Sequence, residues 1–297
     1  MQKIIIDTDI GDDIDDAFAI ALTTQFSQAE LIGVTSVFRN AKARAQLVKK
    51  LLESTGRQVP VRAGEKLPYK EPFHRFAKDT DTVPPESSTP CQWEESYGTY
   101  SVEEGAVEYL AECAEQYGGE LCIATIGPMT NLARAIEKYP DKMKRCGKIV
   151  SMGGSFEKFM PEWNYLCDPE AADIVIRSGI PFYAVGLDVT LKCPLEEGLL
   201  EKFRSSQKPV NQLLSLWLKR WFDFFGFEKS VMHDPLALAS IVSDVCKFKK
   251  QYVKIELETE RGAVHVSDRA EEGYSPVCVA VSADRNKFYN MVETALL

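Results

Sequence analysis

Six aspartates crowd into residues 7–16, bent around the single glycine Gly11, and no other feature constrains this chain as strongly. The run Ile4-Ile5-Ile6 before them reads as a buried strand, and residues 17–22 after them as the start of a helix. Clustered anions repel one another, and in a dry site each uncompensated charge costs roughly several kcal/mol. A folded chain keeps such a cluster when solvent dilutes it or a cation neutralises it. The position favours the cation, because ligand crevices in open α/β sheets lie beyond the carboxyl ends of the strands.

Strand and helix signals alternate after this opening. Strands are expected at residues 31–37, 121–126, 149–152 and 182–187, and helices at 41–52, ending near Gly56, and at 130–139, halted by Pro140. Ser101-Val102-Glu103-Glu104 has the form of a capping box, predicting a helix that runs through Val107, Leu110 and Ala114 to Gly118. Asp168-Pro169-Glu170 places an N-cap before a proline at the first helical position, with a stop at Gly179. Residues 253–257, 263–266 and 277–281 read as strands on short connections, followed by a helix from Asp284. Such alternation implies a parallel sheet with helices on both faces. Residues 64–100 fit neither pattern and read as a lid or substrate loop, with a plain surface excursion as the alternative.

Composition narrows the function classes. A net charge of -9 argues against nucleic acid as a partner. No run approaches the ~20 apolar residues that span a bilayer. The opening strand lacks the basic-then-apolar pattern of a leader, and the eight cysteines form no C-x-x-C pair. A cytoplasmic protein with reduced thiols is the expectation.

Polar residues recur just past the expected strands: Asn40, Thr125 before Gly127-Pro128, Met152-Gly153-Gly154, Glu162-Trp163-Asn164 and His233-Asp234-Pro235. Each alone has an ordinary reading, such as a helix cap for Asn40, loop surface for Glu162 and Asn164, or a core histidine for His233. Together with Asp7-Thr8-Asp9-Ile10-Gly11 and Asp15-Asp16-Ala17, their order resembles the inosine–uridine nucleoside hydrolases, which cleave the N-glycosidic bond of ribonucleosides. Val37-Phe38-Arg39-Asn40, Asp168-Pro169-Glu170-Ala171-Ala172 and Gly186-Leu187-Asp188-Val189-Thr190 extend the match over nearly the whole chain.

The resemblance implies one α/β domain over residues 1–297, an open, mixed and mainly parallel sheet, and a homodimer or homotetramer. It assigns Ca2+ to Asp9, Asp16, the Thr125 carbonyl and Asp234, with Asp9 also the general base. It gives the ribose hydroxyls to Asp15, Asn40, Glu162 and Asn164, and the leaving base to His233. The chemistry suits these residue types. Cleaving a ribosyl C–N bond builds positive charge on the sugar, and calcium takes 6–8 oxygen ligands. The partner is then a small nucleoside or riboside, with no nucleic acid or membrane involved.

Three departures from the family pattern stand out. Asp12-Asp13-Ile14 occupies a place where the family has one residue, so Asp13 could replace Asp15 or Asp16 in a contact. Phe156 stands where an asparagine often grips the ribose, and His74 is followed by Arg75-Phe76 rather than glycine. Two other classes share parts of this pattern. A haloacid-dehalogenase-type phosphatase also opens on Asp-x-Asp, but Gly11 stands where that pattern wants Thr or Val. A non-catalytic, metal-stabilised ribose- or nucleoside-binding protein on the same fold remains as the alternative. The segment 216–225 reads mostly as core, with Trp221 or Phe225 as candidates to line a base pocket.

Overall fold

The computed structural model describes residues 1–70 and 88–297. The departure at His74-Arg75-Phe76 and the middle of the expected lid lie outside the described residues. In chain order the strands are β1 Gln2–Thr8, β2 Ala29–Ser36, β3 Val61–Ala63, β4 Glu103–Glu104, β5 Leu121–Thr125, β6 Lys148–Met152, β7 Phe182–Val185, β8 Cys246–Ile255, β9 Val264–Ser267 and β10 Ser275–Ala283. The helices are α1 Asp15–Thr23, α2 Ala41–Thr55, α3 Ala106–Tyr117, α4 Thr130–Lys138, α5 Pro140–Met143 and α6 Trp163–Cys167. They continue as α7 Pro169–Arg177, α8 Leu187–Thr190, α9 Glu197–Ser205, α10 Pro209–Phe225, α11 His233–Val242 and α12 Arg285–Leu296.

The strands form one sheet in the order β4-β3-β2-β1-β5-β6-β7-β10-β8-β9. Pairing is parallel from β4 through β10, and among the described residues only β8 runs against the others, pairing antiparallel with β10 and β9. The alternation implies a parallel sheet, and this is the mixed, mainly parallel α/β sheet that the family resemblance implies. Alternate residues of β1 feed different cores: Ile4 and Ile6 pack with α1, α2 and α10, whereas Ile5 packs with α3 and α4. Both faces are therefore covered, which is why the strand reads as a continuous apolar run.

Local chemistry sets several helix ends. Asp168 Oδ1 accepts from Ala171 N at 3.1 Å and Pro169 opens α7, while Asp284 Oδ1 accepts from Lys287 N at 3.1 Å to start α12. Gly56, in the left-handed region at φ 69°, closes α2. The capping box at Ser101 does not form. Glu103 and Glu104 pair instead with Arg62 and Ala63 as an edge strand, Glu103 meets Arg62 at 2.8 Å, and α3 starts at Ala106 without a side-chain cap. Sheet pairing has taken the backbone that the local motif would have used.

The topology fixes where a site can be. The chain winds outward from β1 to β4, then returns to the other side of β1 with β5. Strand order thus reverses between β1 and β5, and a crevice opens beyond their carboxyl ends.

Candidate active site

The aspartate loop fills that crevice. Gly11, at φ 127°, makes the bend, and a Cβ there would lie 2.5 Å from Pro90 Cβ, so only glycine fits. Thr8 Oγ1 donates to Asp16 Oδ1 at 2.5 Å. Asp234 arrives on the first turn of α11 and its N–H donates to Asp15 Oδ2 at 3.1 Å. Asp15, Asp16 and Asp234 each offer a carboxylate oxygen within 4.8 Å of the others, and all three are buried. They share a cavity of about 410 Å³ with Asp9, Asp12 and Asp13.

Burial, and then mutual repulsion, push Asp15, Asp16 and Asp234 well above the usual carboxylate range. Burial also lifts Asp9 to about 7, with the Arg44 charge opposing and Asp12 adding to it, and lifts Asp13 to about 6. Buried like charges of this kind are stable when a cation joins them. The converging donors are all carboxylate oxygens, with no thiolate or imidazole among them, so the set fits a hard metal ion.

The two extra carboxylates have separate fates. Asp12 Oδ2 accepts from Arg44 Nη2 at 2.7 Å, and Asp13 Oδ1 accepts from Ile14 N at 2.6 Å. Asp13 does not displace Asp15 or Asp16 from the converging group. The return of the long connection braces the loop: Gln92 N donates to Gly11 O at 3.1 Å and the Cys91 thiol to the same carbonyl at 3.3 Å.

Asn40 lies four residues past the end of β2, directly before α2, which its Oδ1 caps by accepting from Ala43 N at 3.1 Å. Phe38 and Arg39 before it both have positive φ, 71° and 56°, a conformation that costs non-glycine residues about 1–3 kcal/mol each and clusters at functional sites. Glu162 caps α6, accepting from Asn164 N at 2.9 Å and Gly154 N at 3.1 Å. Burial raises its pKa and those backbone donors oppose the rise. Asn164 Nδ2 donates to Met152 O at 3.2 Å and Ile126 O at 3.3 Å, tying it to the ends of β5 and β6. Glu162 and Asn164 line the cavity. Thr125 is fully buried at the end of β5, opposite Asp7 in the ladder; neither it nor Asn40 is among the cavity-lining residues. Just past Thr125, Gly127 leaves room for Asp9, whose backbone nitrogen would lie 2.8 Å from a Cβ there.

His233, on the first turn of α11, places Nδ1 at 2.7 Å from Thr190 Oγ1, and burial lowers its pKa to about 4. Trp221 and Phe225 line the cavity beside it, whereas Trp217 lies in the core with Nε1 3.3 Å from Tyr97 Oη. The aromatic segment thus divides between pocket and core along one helix. Phe227, which the sequence did not single out, also lines the cavity and stacks on Phe225 at 5.7 Å; it follows the Gly226 stop of α10 with no period to mark it. Phe156 is not among the cavity-lining residues; its ring lies against Gly154 and Gly186, and its N–H donates to Asp188 Oδ2 at 2.8 Å.

Comparison with known proteins agrees with this geometry. A family model described as inosine-uridine preferring nucleoside hydrolase matches residues 4–290. The chain is similar to uridine nucleosidase 1 of Arabidopsis thaliana, 30% identical over 100% of this chain and 93% of that protein. It is also similar to a pyrimidine-specific ribonucleoside hydrolase of Salmonella typhi, 30% identical over 99% of this chain and 97% of the other. Among solved structures it superimposes on a purine-preferring ribonucleoside hydrolase from Gardnerella vaginalis with a TM-score of 0.80 and 27% identity, covering 99% and 98% of the two chains.

Proposed function

The chain belongs to the inosine-uridine preferring nucleoside hydrolases, and on that premise we propose that it hydrolyses the N-glycosidic bond of ribonucleosides, or related ribosides, with the help of one Ca2+. The observation that carries the reading is convergence: the aspartates, His233 and the aromatic wall meet in one cavity at the sheet's reversal point. Asp9, Asp16, Asp234 and the Thr125 carbonyl would hold the cation, and Asp15, with a carboxylate oxygen within 4.8 Å of those of Asp16 and Asp234, would stand beside them. When bound, Ca2+ would supply a positive charge for oxygen ligands, water and sugar hydroxyls among them, and would make a bound water more acidic.

The chain's own groups account for the rest. Asp9 takes a proton from the attacking water, whose oxygen bonds to C1′ while the C1′–N electron pair leaves with the base. In the cation-free fold burial lifts Asp9 to about 7, and with the cation bound its carboxylate would be deprotonated and so open to accept that proton. Asp15, Asn40, Glu162 and Asn164 orient the ribose hydroxyls. His233, held neutral by burial, gives an N–H hydrogen bond to the departing base rather than a full positive charge. Trp221 and Phe225 stack on that base. All eight cysteines are free, which supports a reducing, cytoplasmic setting, and among the described residues no helix is long and apolar enough to cross a membrane. We place the protein there as a homodimer or homotetramer that frees bases for salvage.

The test is product analysis of the purified protein with a panel of nucleosides, each beside its 2′-deoxy counterpart, with and without Ca2+. Release of free base and ribose is expected. The 2′-deoxy compounds should react far more slowly, by up to ~10⁴–10⁵, because buried partners of the missing hydroxyl are left unpaired. Binding of nucleosides without turnover would overturn the reading.

A further inference from the structure

Arg44 is 1% exposed although it sits on α2, a helix with solvent along one face. Its guanidinium reaches across two loops. Nε donates to the Phe38 carbonyl at 2.8 Å, in the turn that carries Asn40. Nη1 donates to the carbonyls of Asp9 and Ile10, the latter at 3.0 Å. Nη2 pairs with Asp12 at 2.7 Å. Burial works against this charge, and the Asp12 and Asp9 carboxylates more than offset it. The forked group therefore ties the aspartate loop after β1 to the left-handed turn after β2, with the added residue Asp12 as its counter-charge.

We propose that Arg44 is a positioning residue: it fixes the backbone of Asp9 and the strained Phe38-Arg39 turn together, so that the aspartate loop and Asn40 are held in register. The proposal rests on the cation and ribose reading above. It also explains the two-residue expansion of the loop. Asp12 neutralises the clamp, which leaves Asp16 and Asp234 free to converge, with Asp15 beside them. A lysine could keep the charge, but a single ammonium cannot replace a planar fork that bonds both loops at once.

Isothermal titration with Ca2+, together with steady-state kinetics on the best nucleoside, tests this. Arg44→Lys should fold, as read by circular dichroism, yet bind Ca2+ about 10–100-fold more weakly, the range typical of groups that orient metal ligands. KM should rise more than kcat falls, because sugar placement suffers with the turn. Asp12→Asn keeps an acceptor oxygen for Arg44 and loses the counter-charge. Its weaker Ca2+ binding should persist at ~1 M salt, where simple charge attraction is screened within ~3 Å. If Arg44→Lys does not fold, Asp12→Asn carries the test alone. Wild-type protein that binds no Ca2+ would overturn both the cation reading and the clamp. Wild-type binding with unchanged Ca2+ affinity and KM in the folded variants would overturn the clamp only. A drop in Tm alone would reduce Arg44 to a packing role.

Discussion

The carboxyl ends of β1 and β5 and the antiparallel edge of the same sheet handle charge in opposite ways. At the edge, Lys249 meets Asp268 at 2.8 Å and His265 meets Glu256 at 2.9 Å, with the lysine and Asp268 open to solvent. Exposed pairs like the first contribute little, because water and salt already screen them. At the crevice, carboxylates are stacked against one another out of water, an arginine is sealed beneath them, and two residues are held in a left-handed turn. Nothing in the packing of the sheet requires such an arrangement. The difference teaches that this chain gathers its densest buried charge, and its left-handed turn, around one cavity.

That contrast can be broken most directly at Asp9. Asp9→Asn should lower kcat by at least ~10²-fold, the lower range for a positioned general base. Its cation-free Tm should hold or rise, since a buried repulsive charge has gone. Near-normal turnover would remove Asp9 from the mechanism. The aromatic wall comes next. Trp221→Ala or Phe225→Ala should raise KM for nucleosides by ~5–150-fold, the equivalent of ~1–3 kcal/mol of lost stacking. Inhibition by free ribose should be unchanged. Lost stability with unaltered KM would return both rings to the core.

Acidity provides a smaller, graded test. In the cation-free fold burial raises Asp7 to about 7, Asp9 to about 7 and Asp13 to about 6, all above the ~3.9 of an unfolded aspartate. Between those limits the folded chain holds more protons than the unfolded one. Stability without cation should therefore fall as pH rises from about 4 to about 7. Ca2+ requires the deprotonated carboxylates, so the Tm gained on adding it should grow across the same window. Thermal melts at pH 5 and pH 7.5, with Ca2+ and with chelator, measure both slopes. A gain independent of pH would separate the cation from these aspartates. At the edge, Asp268→Ala should leave both Tm and kcat where they are, and a clear loss there would erase the contrast altogether.

Much of this was legible in the chain because local and global preferences agree. The apolar run at Ile4-Ile5-Ile6, the Asp168 and Asp284 caps and the Gly56 stop each force the same local structure that the sheet needs. The site residues could be read in part for a related reason: polar groups just past strand ends are brought together by topology. The failures share a cause as well. Ser101-Val102-Glu103-Glu104 carries a local cap, and pairing with β3 overrides it. Phe38 and Arg39 give no sign of positive φ, since the turn is imposed by contacts from Glu65, Lys66 and Arg44 rather than by residue type. Arg44 did leave a trace. It lies on the same helical stripe as Leu47, Val48 and Leu51, all buried, and an arginine on such a stripe signals an enclosed partner.

The pairing of β1 with β5 has a consequence for how the molecule comes into being. Lys3 lies opposite Leu121 and Asp7 opposite Thr125, and the Asp234 N–H closes on Asp15 across 219 positions. Contacts this distant carry the largest loop-closure entropy and favour slow folding. A growing chain that has made only its first hundred or so residues therefore carries Asp9, Asp15 and Asp16 without a crevice to put them in. Competence arrives only when α11 docks, so recovered activity in a refolding chain is a report on its most remote contacts.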